Sequence, residues 1–128
     1  MAPLVRIMYA EDEPDIQQLV SLALEVVGGF TLKICSSGLE ALNEIEAFEP
    51  QLLILDVMMP ELDGPGALKK IREIEAYKDI PAIFMTAKVQ LDEVQAYLEV
   101  GAIDVIVKPF DPMTLADRVQ VAWAKVGS

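Results

Sequence analysis

The sequence contains no histidine and a single cysteine, Cys35. A disulfide within the chain is therefore excluded, and no His or Cys pair points to zinc. Cys35 reads as a small buried hydrophobe near a strand end. Positive charge is also scarce: 10 Lys and Arg against 21 Asp and Glu leave a net charge of −11, which repels nucleic-acid phosphates and anionic lipid. Neither a direct nucleic-acid partner nor a membrane is expected. Long apolar runs are missing, since blocks such as residues 52–55 and 105–107 fall well short of the roughly twenty residues a membrane span needs. Met1 to Arg6 runs directly into strand-like sequence without a small-residue cleavage site, so no signal peptide is read and a cytoplasmic location is expected. No internal repeat or low-complexity segment is visible.

What is present is an apolar chain cut into short blocks. Of its 128 residues, 53% are hydrophobic and 24% charged, which fits one domain over residues 1–128, with no output domain expected. Residues 4–10 read as a strand, and Pro14 suits the first position of a helix. Ile16, Leu19, Val20, Ala23, Leu24 and Val27 then form one helical stripe that Gly28-Gly29 ends. Residues 30–35 read as a second strand, followed by a helix to about Phe48. The uninterrupted Leu/Ile block at 52–55 is the pattern of a strand covered on both faces. A third helix turns Leu68, Ile71 and Ile74 inward and leads to a strand at 82–85. A fourth helix, roughly 90–100, turns Leu91, Val94 and Leu98 inward and leads to a strand at 103–107. The last helix runs from about Pro112. Five strand-helix pairs in alternation give an α/β fold: a doubly wound, five-stranded parallel sheet with helices on both faces.

In such sheets the functional crevice lies beyond the carboxyl ends of the strands. Those ends carry Glu11 and Asp12 after the first strand, Asp56 at the third, Thr86 at the fourth and Lys108 at the fifth. Three carboxylates brought together repel one another unless a cation sits among them. A hard divalent ion such as Mg²⁺ accepts carboxylate, carbonyl and water oxygens and leaves positions for phosphate. Asp56 beside that ion can attack phosphorus, with Lys108 supplying a point charge and Thr86 a hydroxyl donor to the phosphoryl oxygens.

Four pieces in order carry a resemblance to a known family: Glu11-Asp12, the segment from Asp56-Val57-Met58-Met59-Pro60 to Gly64, the pair Thr86-Ala87, and Lys108-Pro109-Phe110. Across essentially its whole length the chain resembles the receiver domains of two-component response regulators, of the single-domain chemotaxis-regulator type. The resemblance implies strand order 2-1-3-4-5, a flavodoxin-like three-layer sandwich. It implies phosphorylation of Asp56 by a histidine kinase or histidine phosphotransfer protein, with Mg²⁺ or Mn²⁺ held by Asp12, Asp56 and the backbone carbonyl of Met58, and Glu11 acting through water. Thr86, Ala87 and Lys108 would sense the phosphoryl group, and the Lys108-Pro109 peptide would be cis. The chain would then act as a switched interaction module rather than a metabolic enzyme.

One departure concerns the switch. Where the family commonly has an aromatic residue three positions before the lysine, this chain has Val105, whose stiff side chain has little reach. Signalling would rest on Thr86 and the loop and helix after it, or on Tyr97. The fourth helix, fifth strand and fifth helix are the expected face for an unidentified downstream protein or for a homodimer. Met58 and Lys88, each two residues beyond a key position, are expected to slow loss of the phosphoryl group. An aspartate-based phosphatase would need a second acid where Met58 stands, and a nucleotide or flavin module would need glycine where Glu11-Asp12-Glu13-Pro14 stands. Glu13, Asp15 and Asp63 read as helix-start residues, Gly64 as a backbone requirement, and Phe110 and Trp123 as packing residues.

Overall fold

Five aliphatic segments pair side by side in the computed structural model, which describes residues 2–87 and 90–126. They are β1 (Arg6–Ala10), β2 (Thr31–Cys35), β3 (Leu52–Asp56), β4 (Ala82–Thr86) and β5 (Ala102–Val107). Every pairing is parallel, and the order is β2-β1-β3-β4-β5. The expected doubly wound sheet is therefore the one formed. Between the strands run α1 (Pro14–Ser21), α2 (Gly38–Phe48), α3 (Gly64–Arg72) and α4 (Leu91–Glu99), and α5 (Leu115–Ala124) closes the chain.

Strand side chains alternate between two apolar layers. Ile7, Tyr9, Leu52, Ile54, Ile83, Met85 and Ile106 pack with Val20, Leu24, Leu115 and Val119 on the α1 and α5 side. Met8, Leu53, Leu55 and Phe84 pack with Ala41, Ile45, Leu68 and Ile71 on the α2 and α3 side. Both sheet faces are thus covered, which is why the central strands carry apolar residues at consecutive positions. Phe110 and Trp123 pack against the first layer, and Cys35 is buried in the second with its thiol pushed up to about 12 by burial. No helix among the described residues is long and apolar enough to cross a membrane.

Three local features differ from the sequence reading. The first helix does reach Val27, but residues Leu22–Val27 are π-wound, with Gly28 N–H donating to the Ala23 carbonyl five residues back. The wider winding carries Val27 off the buried stripe, and it stands exposed beside buried Ala23 and Leu24. In α4 the inward face is not Leu91, Val94 and Leu98: Leu91 is 75% and Leu98 45% exposed, while Val94 and Tyr97 are half-buried. Tyr97 sets its ring edge-on to Phe84 with centroids 5.4 Å apart, and that larger contact turns the helix one position away from Leu98. Finally, α5 begins at Leu115 rather than near Pro112. Asp111 instead organises a turn, accepting from Met113 N at 2.9 Å and from Thr114 N at 3.2 Å.

The far end of α4 is tied to its neighbours by Arg72, which donates to the carbonyls of Val100 at 2.9 Å, Ile80 at 3.0 Å and Gly101 at 3.3 Å. Gly101 has a φ of 102°, and a Cβ there would meet the Arg72 guanidinium at 2.6 Å, so glycine meets both demands.

Candidate functional site

The strand ladders carry the polar residues to one end of the sheet. Glu11 N–H donates to the Cys35 carbonyl at 2.9 Å, and Val57 N–H to the Met85 carbonyl at 2.9 Å. These bonds extend β1 and β3 just past their last residues. Glu11, Asp12 and Asp56 thereby come together, each offering a carboxylate oxygen within 4.8 Å of the others. Glu11 and Asp56 are buried, whereas Asp12 is exposed.

Lys108 reaches into this group from the end of β5. Its Nζ lies 3.1 Å from Glu11 Oε1 and 3.3 Å from Asp56 Oδ1. Burial disfavours the ammonium, but the Asp56 and Glu11 carboxylates outweigh it and raise the Lys108 pKa above its usual value. Glu11 is raised as well: burial first, then its hydrogen bond and repulsion with Asp56, push its carboxyl from the usual 4.5 to about 7. Three carboxylates, two buried and one exposed, offer hard oxygen donors that could hold a metal ion, and such donors suit a divalent cation.

Thr86 is buried at the end of β4, and its carbonyl accepts from Lys108 N–H at 2.8 Å, so β4 and β5 are laced together beside the carboxylates. Ala87 follows it and is exposed. The Lys108-Pro109 peptide is cis. Met58 projects into solvent, 66% exposed, and Lys88 lies outside the described residues. Val105 and Tyr97 are not in the carboxylate group. Val105 is buried on β5 opposite Phe84 in register, and Phe84 is the residue on which Tyr97 packs.

The loop after Asp56 is held from below. A Cβ on Gly64 would lie 2.5 Å from the Asp56 carbonyl oxygen, so only glycine lets the start of α3 approach the acid-bearing strand this closely. Asp63 caps that helix, accepting from Gly66 N–H at 2.7 Å. Glu13 precedes α1 without a side-chain capping bond, and Asp15 sits in its first turn.

Sequence reasoning missed one residue. Tyr9, fully buried, donates its hydroxyl to Glu11 Oε1 at 3.2 Å. The signal was a phenol in an otherwise aliphatic strand two positions before Glu11, and residues two apart share a strand face.

The family described as response regulator receiver domain matches residues 7–120. Response regulator Rre1 of Synechocystis sp. is 34% identical over 126 residues, covering 98% of this chain and 54% of that protein. Transcriptional regulatory protein CseB of Streptomyces coelicolor is 33% identical over 127 residues, covering 99% of this chain and 53% of that protein. The chain thus spans about half the length of these relatives. Among solved structures, chemotaxis response regulator CheY4 of Vibrio cholerae superposes with a TM-score of 0.85 at 29% identity, over 94% of this chain and 99% of that one.

Proposed function

The chain belongs to the response-regulator receiver family of two-component signalling, and from that membership we propose that it accepts a phosphoryl group on Asp56 with Mg²⁺ or Mn²⁺ held beside it. The observation that carries this reading is the meeting of Glu11, Asp12 and Asp56 with the Lys108 ammonium at one end of the sheet. Asp12, Asp56 and the backbone carbonyl of Met58 would hold the ion, with Glu11 acting through water. When bound, the ion supplies positive charge against the phosphoryl oxygens.

Asp56 supplies the nucleophile. One carboxylate oxygen forms a bond to phosphorus as the P–N bond of a phosphohistidine breaks, and the electron pair leaves with the imidazole nitrogen. The donor is a histidine kinase or a histidine phosphotransfer protein. Lys108 turns its charge to the arriving phosphoryl oxygens, and the Thr86 hydroxyl donates to one of them. Ala87, beside Thr86, belongs to the loop that reads the group.

The new group adds about −1.5 to −2 charge at the sheet end. Thr86 ends β4, and Phe84 two residues earlier touches Tyr97 of α4 and pairs with Val105 of β5. A pull on Thr86 is thus passed along β4 to α4, with Tyr97 taking the part that Val105 is too short to play. The α4, β5 and α5 face, with Leu91 and Leu98 exposed, would meet the downstream protein or a second copy.

The test is to incubate the chain with Mg²⁺ and acetyl phosphate and to follow its intact mass. The wild type gains one phosphoryl group, and neither Asp56→Asn nor the wild type in EDTA does. A wild type that gains none, or an Asp56→Asn chain that gains one equally, refutes the reading.

A further inference from the structure

Tyr9 sits in the apolar layer under α1 and α5, fully buried, yet its hydroxyl belongs to the site. It donates to Glu11 Oε1 at 3.2 Å, the same oxygen that accepts from Lys108 Nζ at 3.1 Å. The other Glu11 oxygen accepts from the Glu13 N–H at 3.4 Å. Lys108 meanwhile serves a second acceptor, Asp56 Oδ1, at 3.3 Å. A valine or isoleucine at position 9 would fill the strand without the cost of burying a hydroxyl, and phosphoryl capture as described above makes no use of the phenol.

We propose that Tyr9 is a positioning residue that keeps the Glu11 carboxylate bonded and oriented when Lys108 turns from it toward an incoming phosphoryl group; this rests on the phosphoryl-acceptor reading of Asp56. Lys108 has one ammonium for two buried carboxylates. Once it swings to phosphoryl oxygens, Glu11 Oε1 loses its charged donor, and a buried carboxylate without a donor is costly. Tyr9 covers the same oxygen from a ring locked in the core, so its donor cannot leave. The hydroxyl hydrogen has the Glu11 oxygen as its acceptor and the buried ring holds it there, so it remains a donor in both states. Glu11 stays oriented toward the ion, and Lys108 is released at lower cost.

Tyr9→Phe removes the hydroxyl and keeps the ring. Ile7→Val, a trimmed side chain in the same apolar layer, is the structural control. Two quantities are measured: Mg²⁺ affinity by calorimetry without any phosphodonor, and the rate of phosphoryl uptake from acetyl phosphate at saturating Mg²⁺. Tyr9→Phe slows uptake by about tenfold, with at most a smaller loss of Mg²⁺ affinity because Lys108 still covers Glu11 when no phosphodonor is present, whereas Ile7→Val melts earlier with both values unchanged. In a Glu11→Ala background, Tyr9→Phe has no further effect, because the carboxylate it acts through is gone. In the unaltered protein, the Tyr9 hydroxyl proton gives a slowly exchanging NMR resonance that persists after phosphorylation.

A Tyr9→Phe chain that matches the wild type in both quantities overturns the role of Tyr9, as does a defect of equal size in the Glu11→Ala background, or loss of the hydroxyl resonance on phosphorylation. A wild type that takes up no phosphoryl group overturns the parent reading and the role of Tyr9 together. A wild type that does, beside an unimpaired Tyr9→Phe, removes only the latter.

Discussion

Lys108 Nζ lies 3.3 Å from Asp56 Oδ1, with the Asp56 side chain buried and that of Lys108 partly so. The same ammonium is 3.1 Å from Glu11, so it is the cation that makes two neighbouring buried carboxylates tolerable before any metal arrives. Lys108→Met leaves them facing each other. In EDTA at pH 8, urea unfolding should find this variant about 2 kcal/mol less stable than the wild type. Added Mg²⁺ should recover more of the loss than it adds to the wild type, because the ion takes the place of the missing charge.

The Glu11 carboxyl sets a pH dependence whose sign is opposite to that of an ordinary paired acid. Burial, and then Asp56, raise it from 4.5 to about 7. Between these values the folded chain holds more protons than the unfolded chain, so stability falls as pH rises. In EDTA the melting temperature should therefore decline from about pH 4.5 to about pH 7, through this group, and level off above. Glu11→Gln, with no proton to lose, should flatten that decline. The gain in melting temperature from Mg²⁺ should grow over the same interval in the wild type, since proton and ion compete for one site.

Gly64 predicts a substitution effect that passes from packing to chemistry. A Cβ there meets the Asp56 backbone carbonyl oxygen at 2.5 Å, a contact that only a backbone shift relieves. Gly64→Ala should cost about 2 kcal/mol in urea unfolding, and should also slow phosphoryl uptake, because the displaced strand end carries Asp56. Gly66→Ala is a useful comparison: its Cβ would meet mainly the Asp63 and Leu62 side chains, which can give way, so uptake should be nearly unchanged.

Arg72 predicts a local change in dynamics. It bonds the carbonyls of Val100, Gly101 and Ile80, fastening the end of α4, a helix with no buried residue. Arg72→Met should accelerate amide hydrogen exchange in α4 and leave α5, anchored by Leu115 and Val119, at wild-type protection.

The sheet and the site were legible because one sequence feature encodes both. The aliphatic run of β3 ends directly in Asp56, β4 in Thr86, and β5 one residue before Lys108, so finding the strands found the chemistry. What was not legible depends on tertiary contact. Helical spacing admits both Val94 with Leu98 and Val94 with Tyr97, and only the Phe84 ring beneath α4 selects the second pair. The π-wound turns at Leu22–Val27 satisfy the same apolar stripe as an α-helix until Val27. Pro112 is suited to a helix start, but the Asp111 side chain captures the next amide but one and delays the helix to Leu115. Gly64 reads as a backbone requirement from sequence, but the particular backbone it must approach, that of Asp56, is a tertiary contact. Tyr9 was absorbed into an apolar strand because its partner, Glu11, is recognisable only once the strand face is followed past the strand's end.

The central claim, that Asp56 and not a neighbouring carboxylate carries the phosphoryl group, is tested most directly by trapping. Borohydride reduces an acyl phosphate to an alcohol, so a phosphorylated aspartate becomes homoserine at its own position. The chain is treated with Mg²⁺ and acetyl phosphate, reduced, digested and sequenced by tandem mass spectrometry. The account predicts homoserine at position 56 and intact acids at Glu11 and Asp12. Reduction at either of those positions, with Asp56 unchanged, would contradict it.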